Sequence, residues 1–435
     1  MKSILLSALF GVSYFFGQSA LAQEQLTFEE ALTQTLANNY QIKVARLDLE
    51  VAANNALRLN NGYLPSVSAN GNYGWSYAGG SFETVQGENE FDPNASYNYG
   101  AGIDIDYTLW DGQGRKYTYL QNRELRELSA LQVRQLIENT IVELSNVYYN
   151  ATLQENTLES LQDAIEISVD RVERAKYAYE YGVGTQLDIL NARVDLNTDS
   201  VNLLNTRQQL NNALRNLNLV MGIEINKKYS LSDNIEINRQ LDQEEMLELA
   251  RKRNVQIASI EKNLLVQEYA IEGSKAALLP SFSANIGYDY RGSRDPNGAF
   301  VLGSTNSGPN ASVALNWNIF NGQNRVRIRN ATLSRESLEV QKEDIRRQVE
   351  FNLLNAFEAY RTAIFILDSQ RSNVETAQRN FERTKELLKL AQITSIEFRQ
   401  AQLNLLNAEI QLSQSKINAK NAELQVLALA GQIAG

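Results

Sequence analysis

Hydrophobic and polar positions follow two distinct rhythms along this chain. From Gln113 to Tyr181 a mostly apolar stripe returns every three to four positions: Val133, Leu136, Thr140, Leu144, Val147, Ala151, then, after a polar break, Leu158, Leu161, Ile165, Val169 and Val172. That is the helical period, with coiled-coil character. Gln323 to Ala391 reads alike. Neither stretch contains Pro, and Gly114 is the sole Gly, so nothing interrupts a helix over 113–181 or 323–391. At 1.5 Å per residue each reaches on the order of 100 Å. After short breaks, helical patterns resume over 185–220 and 394–430. Long helices joined by short loops predict antiparallel hairpins.

The second rhythm has period two. Val67, Ala69, Tyr73, Trp75 and Tyr77 share one face, as do Tyr97, Tyr99, Ile103, Ile105 and Tyr107; Asn, Ser, Gly and Asp fill the alternate positions. The pattern predicts strands over 65–77 and 97–110, then 281–291 and 310–320. Their length suits tilted membrane-spanning strands of ~9–11 residues. A face rich in Tyr and Trp opposite a small polar face is the pattern of an outer-membrane barrel rather than a soluble sandwich. Four strands cannot close a barrel, and lipid tolerates no open edge. Three identical chains pooling their strands make twelve, which can close.

The two rhythms occur twice. Leu64-Pro65-Ser66-Val67-Ser68-Ala69-Asn70 returns as Leu279-Pro280-Ser281-Phe282-Ser283-Ala284-Asn285, and Trp110-Asp111-Gly112-Gln113 as Phe320-Asn321-Gly322-Gln323. Asn39-Tyr40-Gln41-Ile42 matches Asn254-Val255-Gln256-Ile257. The shift stays near-constant, so one tandem duplication divides the chain into repeats 23–222 and 223–435. Residues 1–22 read as a signal peptide: Lys2, an apolar run, then Ala20-Leu21-Ala22 for cleavage.

Composition narrows the chemistry. The 435 residues include no Cys and no His, which removes thiolate nucleophiles, disulfides, imidazole bases and thiolate or imidazole metal sites. A net charge of −10 argues against nucleic acid as a partner. A carboxylate-only Mg or Ca site or a two-carboxylate hydrolase survives that cut; the expectation is a non-enzyme without cofactor or metal. Glu83, Glu88, Glu90 and Asp92 read as a solvated loop between the first two strands.

With these patterns in place the chain resembles the TolC-type outer-membrane efflux and secretion channels. The resemblance rests on Leu26-Thr27-Phe28-Glu29-Glu30-Ala31-Leu32 at the start and on Leu109-Trp110-Asp111-Gly112 and Ile319-Phe320-Asn321-Gly322 between strand and helix. It rests most of all on Gly182-Val183-Gly184-Thr185-Gln186-Leu187-Asp188-Ile189-Leu190-Asn191-Ala192. It implies a mainly α protein with a membrane β part, a homotrimer whose twelve-stranded barrel continues into a periplasmic α-helical barrel. It implies an exit duct for efflux or type I secretion, docked to a periplasmic adaptor and an inner-membrane pump of RND, ABC or MFS type. A coiled-coil adaptor or a passive porin is the alternative. By position, Asp188, Asn191, Glu397 and Gln400 match the family's aperture. Gly182, Val183, Gly184 and Thr185, with Gln392, Ile393, Thr394 and Ser395, match its docking tips. Pro65, Gly112, Pro280 and Gly322 match its bends. The tip glycines are expected to supply positive φ, and Thr185 to cap the returning helix. The second tip lacks both glycines, and Tyr40 stands where many members have Pro.

Overall fold

Helix runs where Pro and Gly are missing, and strand where the period is two. The computed structural model describes residues 25–294, 302–390 and 392–433; the expected signal peptide lies outside them. The order is β1 (Gln25–Leu26), α1 (Phe28–Asn38), α2 (Tyr40–Asn55), β2 (Ser66–Thr84), β3 (Gly87–Trp110), α3 (Gly114–Glu180) and α4 (Gln186–Met221). Then come β4 (Ser230–Leu231), α5 (Gln243–Arg253), α6 (Val255–Ala276), β5 (Ser281–Arg294), β6 (Gly303–Asn316), α7 (Gly322–Lys389) and α8 (Ser395–Leu429). Segments of both repeats build two compact units: residues 25–39, 140–239 and 360–423 form one, and 40–139, 240–359 and 424–433 the other. No described helix is long and apolar enough to cross a membrane.

The second unit holds an antiparallel sheet in the order β2-β3-β5-β6. Register aligns one parity across it: Tyr73 faces Tyr99, Trp75 faces Tyr97, and Ile105 faces Ile286. This apolar face stays exposed, with Tyr73 70%, Ile286 57% and Val313 69% accessible. A sandwich core would have covered it. The other face is a flat amide and carboxylate layer. The Asn70 amide donates to Asp104 (3.3 Å), the Asn285 amide to Asp106 (2.9 Å) and the Asn310 amide to Asp289 (2.6 Å). Glycines beneath make the room: a Cβ on Gly102 would lie 2.6 Å from Asn70 Oδ1 and 2.7 Å from Asp289 Oδ1.

The strands run further than the apolar alternation. β6 begins at Gly303, through a Ser-, Thr- and Asn-rich stretch paired to β5, and ends at Asn316 rather than 320. It is an edge strand, where Pro309 is tolerated without an N–H to give. Above Tyr97, β2 and β3 pair with each other up to Thr84 opposite Gly87, with no further strand partner among the described residues. The acids Glu83, Glu88, Glu90 and Asp92, expected in a loop, are strand residues of this ribbon. Backbone pairing through Gly- and Asn-rich sequence needs no apolar side chains, which is why alternation did not reveal it.

Pro65 and Pro280 stand immediately before β2 and β5. At the first bend Gly112 has φ +67°, and a Cβ there would sit 2.8 Å from the Ala276 carbonyl oxygen. Asp111 then accepts from the Arg115 backbone N–H at 2.8 Å, and Arg115 reaches the Gly62 carbonyl at 3.0 Å. Gly322 opens α7 with open space around it and no positive φ.

The first unit packs around Tyr148. With Leu26, Ala31, Leu144, Leu217, Met221 and Leu231 it forms a buried cluster. Its hydroxyl donates to the Leu26 carbonyl at 2.8 Å, pinning β1 beside its parallel partner β4; burial pushes the phenol up to about 12. Each repeat closes the same way. Asn39 donates to the Val220 carbonyl and Asn254 to the Leu429 carbonyl, both at 2.9 Å. Gly222 (φ +68°) and Gly431 (φ +70°) follow as left-handed caps.

Candidate gate and docking site

The tip of the first hairpin is built by its glycines and one threonine. Past α3, the backbone N–H groups of Val183 and Gly184 both donate to the Ala178 carbonyl at 2.9 Å. Gly182 has φ +74° with open space around it. Gly184 departs from expectation: its φ is not left-handed, and it is small because a Cβ would lie 2.9 Å from Ala178 Cβ and 3.2 Å from backbone. Tight packing, not φ, selects glycine there. Val183 is 83% exposed and Tyr181 81%.

Both carboxylates expected at the aperture close capping boxes. Thr185 Oγ1 accepts from the Asp188 N–H, while Asp188 Oδ2 accepts from the Thr185 N–H (2.9 Å) and hydroxyl (2.7 Å). Thr394 and Glu397 repeat this: Glu397 Oε2 accepts from the Thr394 N–H (2.8 Å) and hydroxyl (2.9 Å). These hydrogen bonds hold both carboxyls below the usual range. The second tip thus turns without glycine: the Gln392 N–H donates to the Leu387 carbonyl at 2.9 Å, and Thr394 starts α8.

Asp188 and Asn191 meet Arg171, Asp195, Ser395 and Arg399 around a cavity of about 280 Å³. Glu397 and Gln400 do not line it. Gln400 is exposed and donates to Asn404 at 2.8 Å.

The family described as outer membrane efflux protein matches residues 31–223 and 246–432, in two segments covering most of both repeats. The chain belongs to the outer membrane efflux protein family. Its place is the outer membrane, and it is neither the coiled-coil adaptor nor the passive porin. No curated protein matches it in sequence. Among solved structures, the outer membrane channel CmeC of Campylobacter jejuni is similar at 16% identity and TM-score 0.74, over 100% of this chain and 94% of that one. The outer membrane protein VceC of Vibrio cholerae shares 12% identity, with TM-score 0.70 over 93% and 96%. The MtrE outer membrane channel of Neisseria gonorrhoeae, solved in its open state, shares 16% identity, with TM-score 0.70 over 93% and 89%.

In this efflux protein the tips also carry a charge network that the sequence did not reveal. Arg399 on α8 grips Asp199 on α4 with two nitrogens, at 2.8 and 2.6 Å. Their side chains are 10% and 2% exposed. Ser168 on α3 donates to Asp199 at 2.6 Å, and Gln402 accepts from Arg399 at 3.1 Å while donating to the Ala164 carbonyl at 3.0 Å. Beside it Arg171 donates to Asp195 at 3.0 Å and to Ser395 Oγ at 3.1 Å. The available signal was repeat comparison. Counted from the capping threonines Thr185 and Thr394, Arg399 stands where the first repeat has Leu190.

Proposed function

We propose that three copies of this chain close into one twelve-stranded barrel and form the outer-membrane exit duct of a tripartite efflux or type I secretion system. The sheet carries the reading. Four strands expose a continuous apolar face and leave β2 and β6 each paired on one side only. In hydrocarbon an unpaired row of backbone N–H and C=O groups costs several kcal/mol for each group. Closure with neighbouring copies removes both edges and puts the apolar face against lipid and the Asn–Asp face in the lumen. Light scattering of the detergent-extracted protein should give three chains per particle; a stable monomer would sink the barrel.

The hairpin tips are the gate and the docking end. Asp188, Asn191, Glu397 and Gln400 stand as the aperture positions. Gly182, Val183, Gly184, Thr185, Gln392, Ile393, Thr394 and Ser395 stand as the surface that receives a periplasmic adaptor, itself bound to an inner-membrane RND, ABC or MFS pump. Exposed Tyr177, Tyr181 and Val183 on the first tip support docking, since exposed aromatic and apolar clusters mark protein interfaces.

A further inference from the structure

Where the sheet gives way to helix, aromatic and basic side chains interleave. A bulge in β3 between Thr108 and Trp110 turns Trp110 onto the apolar face, its ring 6.2 Å from that of Phe282. Tyr107, on the same face, starts a ladder. The Arg115 guanidinium lies 5.7 Å from the centre of the Tyr107 ring and 5.6 Å from that of Tyr63. Arg58, in the turn before β2, lies 5.6 Å from Tyr63 and 5.7 Å from Tyr119. Arg123 lies 6.0 Å from Tyr119 on its other neighbour's ring, and Tyr63 meets Tyr119 edge to face at 5.9 Å. Three guanidiniums and three phenol rings thus run from the apolar face onto α3.

The three arginines are not equivalent. Arg115 spends its donors inward, on the Gly62 and Leu109 carbonyls at 3.0 and 3.3 Å, and pairs with Asp111 at 3.5 Å. Arg58 and Arg123 are exposed and have no hydrogen bond or ion pair among the described residues. Residues 112–123 contain no acid. The acids that flank them in α3 are taken, Asp111 by Arg115 and Glu124 by Lys262 at 2.7 Å. Stacking on a ring holds a guanidinium plane and leaves its N–H edges free, the fork that takes two phosphate oxygens. The duplication shows that the fold does not require this ladder. Tyr107 and Arg115 have counterparts in Trp317 and Arg325, whereas Arg58, Tyr63, Tyr119 and Arg123 correspond to Gly273, Leu278, Arg329 and Leu333.

We propose that Arg58 and Arg123, set on Tyr63 and Tyr119, bind the phosphate of an anionic phospholipid in the leaflet that meets the helical end of the barrel. The proposal rests on the membrane-barrel reading of the sheet. Continuity and charge name the occupant. The ladder begins on the face given to hydrocarbon, so a headgroup held there leaves its acyl chains along that face. The chain as a whole carries −10, yet this rim is basic: Arg325, Arg327 and Arg329 at the start of α7 are also exposed. A zwitterionic headgroup would bring an ammonium beside two guanidiniums with no free carboxylate in this stretch of α3 to receive it. A headgroup of net negative charge brings none.

Native mass spectrometry of the detergent-extracted full-length protein, titrated with phosphatidylglycerol, phosphatidylethanolamine or inorganic phosphate, reads the occupancy. One phosphatidylglycerol per chain should be retained at concentrations where phosphatidylethanolamine is not. Arg58→Gln with Arg123→Gln should weaken retention on the order of tenfold. Arg193→Gln with Arg207→Gln, removing two exposed charges of α4, should leave it unchanged. Tyr119→Leu keeps every charge and removes the shared ring, so it should weaken retention as well; circular dichroism checks that each variant is folded. Full retention by the Arg58/Arg123 variant or by Tyr119→Leu overturns the proposal. So does equal retention of both lipids, an equal loss in the α4 variant, or occupancy by inorganic phosphate at the same concentration. A trimer that retains no phosphatidylglycerol refutes the site alone. A monomer that retains it through Arg58 and Arg123 supports the site and refutes the barrel.

Discussion

Asp188 and Glu397 cap their helices, and on the proposed reading each would also carry the charge of the aperture. In each, a single carboxylate oxygen takes both hydrogen bonds from the capping threonine, and the other has no hydrogen-bond partner among the described residues. Capping therefore does not consume the charge; it makes the charge persistent. The folded pKa of each is lowered by those bonds, so each keeps its charge to lower pH than it would without the cap. The linked helix-cap stabilisation is present above the unfolded pKa and is lost only as pH falls through the lowered folded value. A cation preference set at the tips should accordingly persist to lower pH than in a variant whose capping threonines, Thr185 and Thr394, are replaced by Ala. Reversal potentials across a salt gradient, taken at successive pH values, would show it. Asp188→Asn with Glu397→Gln should abolish the preference at neutral pH while leaving the helices in place, since Asn and Gln keep an acceptor at the cap. Unchanged selectivity in that double variant would reduce both residues to caps alone.

Among elements, the long ones were legible and their punctuation was not. Four helices begin and end within about two residues of the limits set by Gly, Pro and the capping threonines, because a helix without a breaker has no reason to stop. The breaks between α1 and α2 and between α5 and α6 rest on one residue each, Asn39 and Asn254, with no Gly or Pro to announce them. Their role appears only in three dimensions, where each amide closes on the far end of a long helix. Gly222 and Gly431 lock the same junctions. A Cβ on Gly222 would need the left-handed backbone and would lie 2.6 Å from the Asn38 carbonyl oxygen. Gly222→Ala should cost ~1–3 kcal/mol, visible as a lowered thermal midpoint, and Gly431→Ala should match it against Arg253. A silent Gly222→Ala would mean that the junction is slack. Gly184 fails differently. Gly184→Val pushes into Ala178, so the expected outcome is a correctly folded protein in the outer membrane whose efflux falls because the docking tip is misshapen; normal efflux would detach the tip from docking.

For the whole molecule, duplication and alternation were enough to read the architecture, because both are properties of backbone periodicity. The tip network was not readable: Asp199 and Arg399 sit on long helices whose charged residues are mostly solvated, and only packing separates a buried charge from a wet one. The proposed trimer rests on arithmetic on edges, and those edges are unequal. β2 has 19 residues, β6 has 14, and the upper part of β3 has no strand neighbour except β2 among the described residues. A wall made by joining such sheets cannot end level. In the proposed trimer each chain would raise one two-stranded flap above the wall, carrying Glu83, Glu88, Glu90 and Asp92 and tipped by Val85. A two-stranded flap has little stability of its own, so the outward rim bends and nicks more readily than the wall below. On that reading, what a protease, an antibody or a phage would meet first on the cell surface is a negatively charged rim of two-stranded flaps.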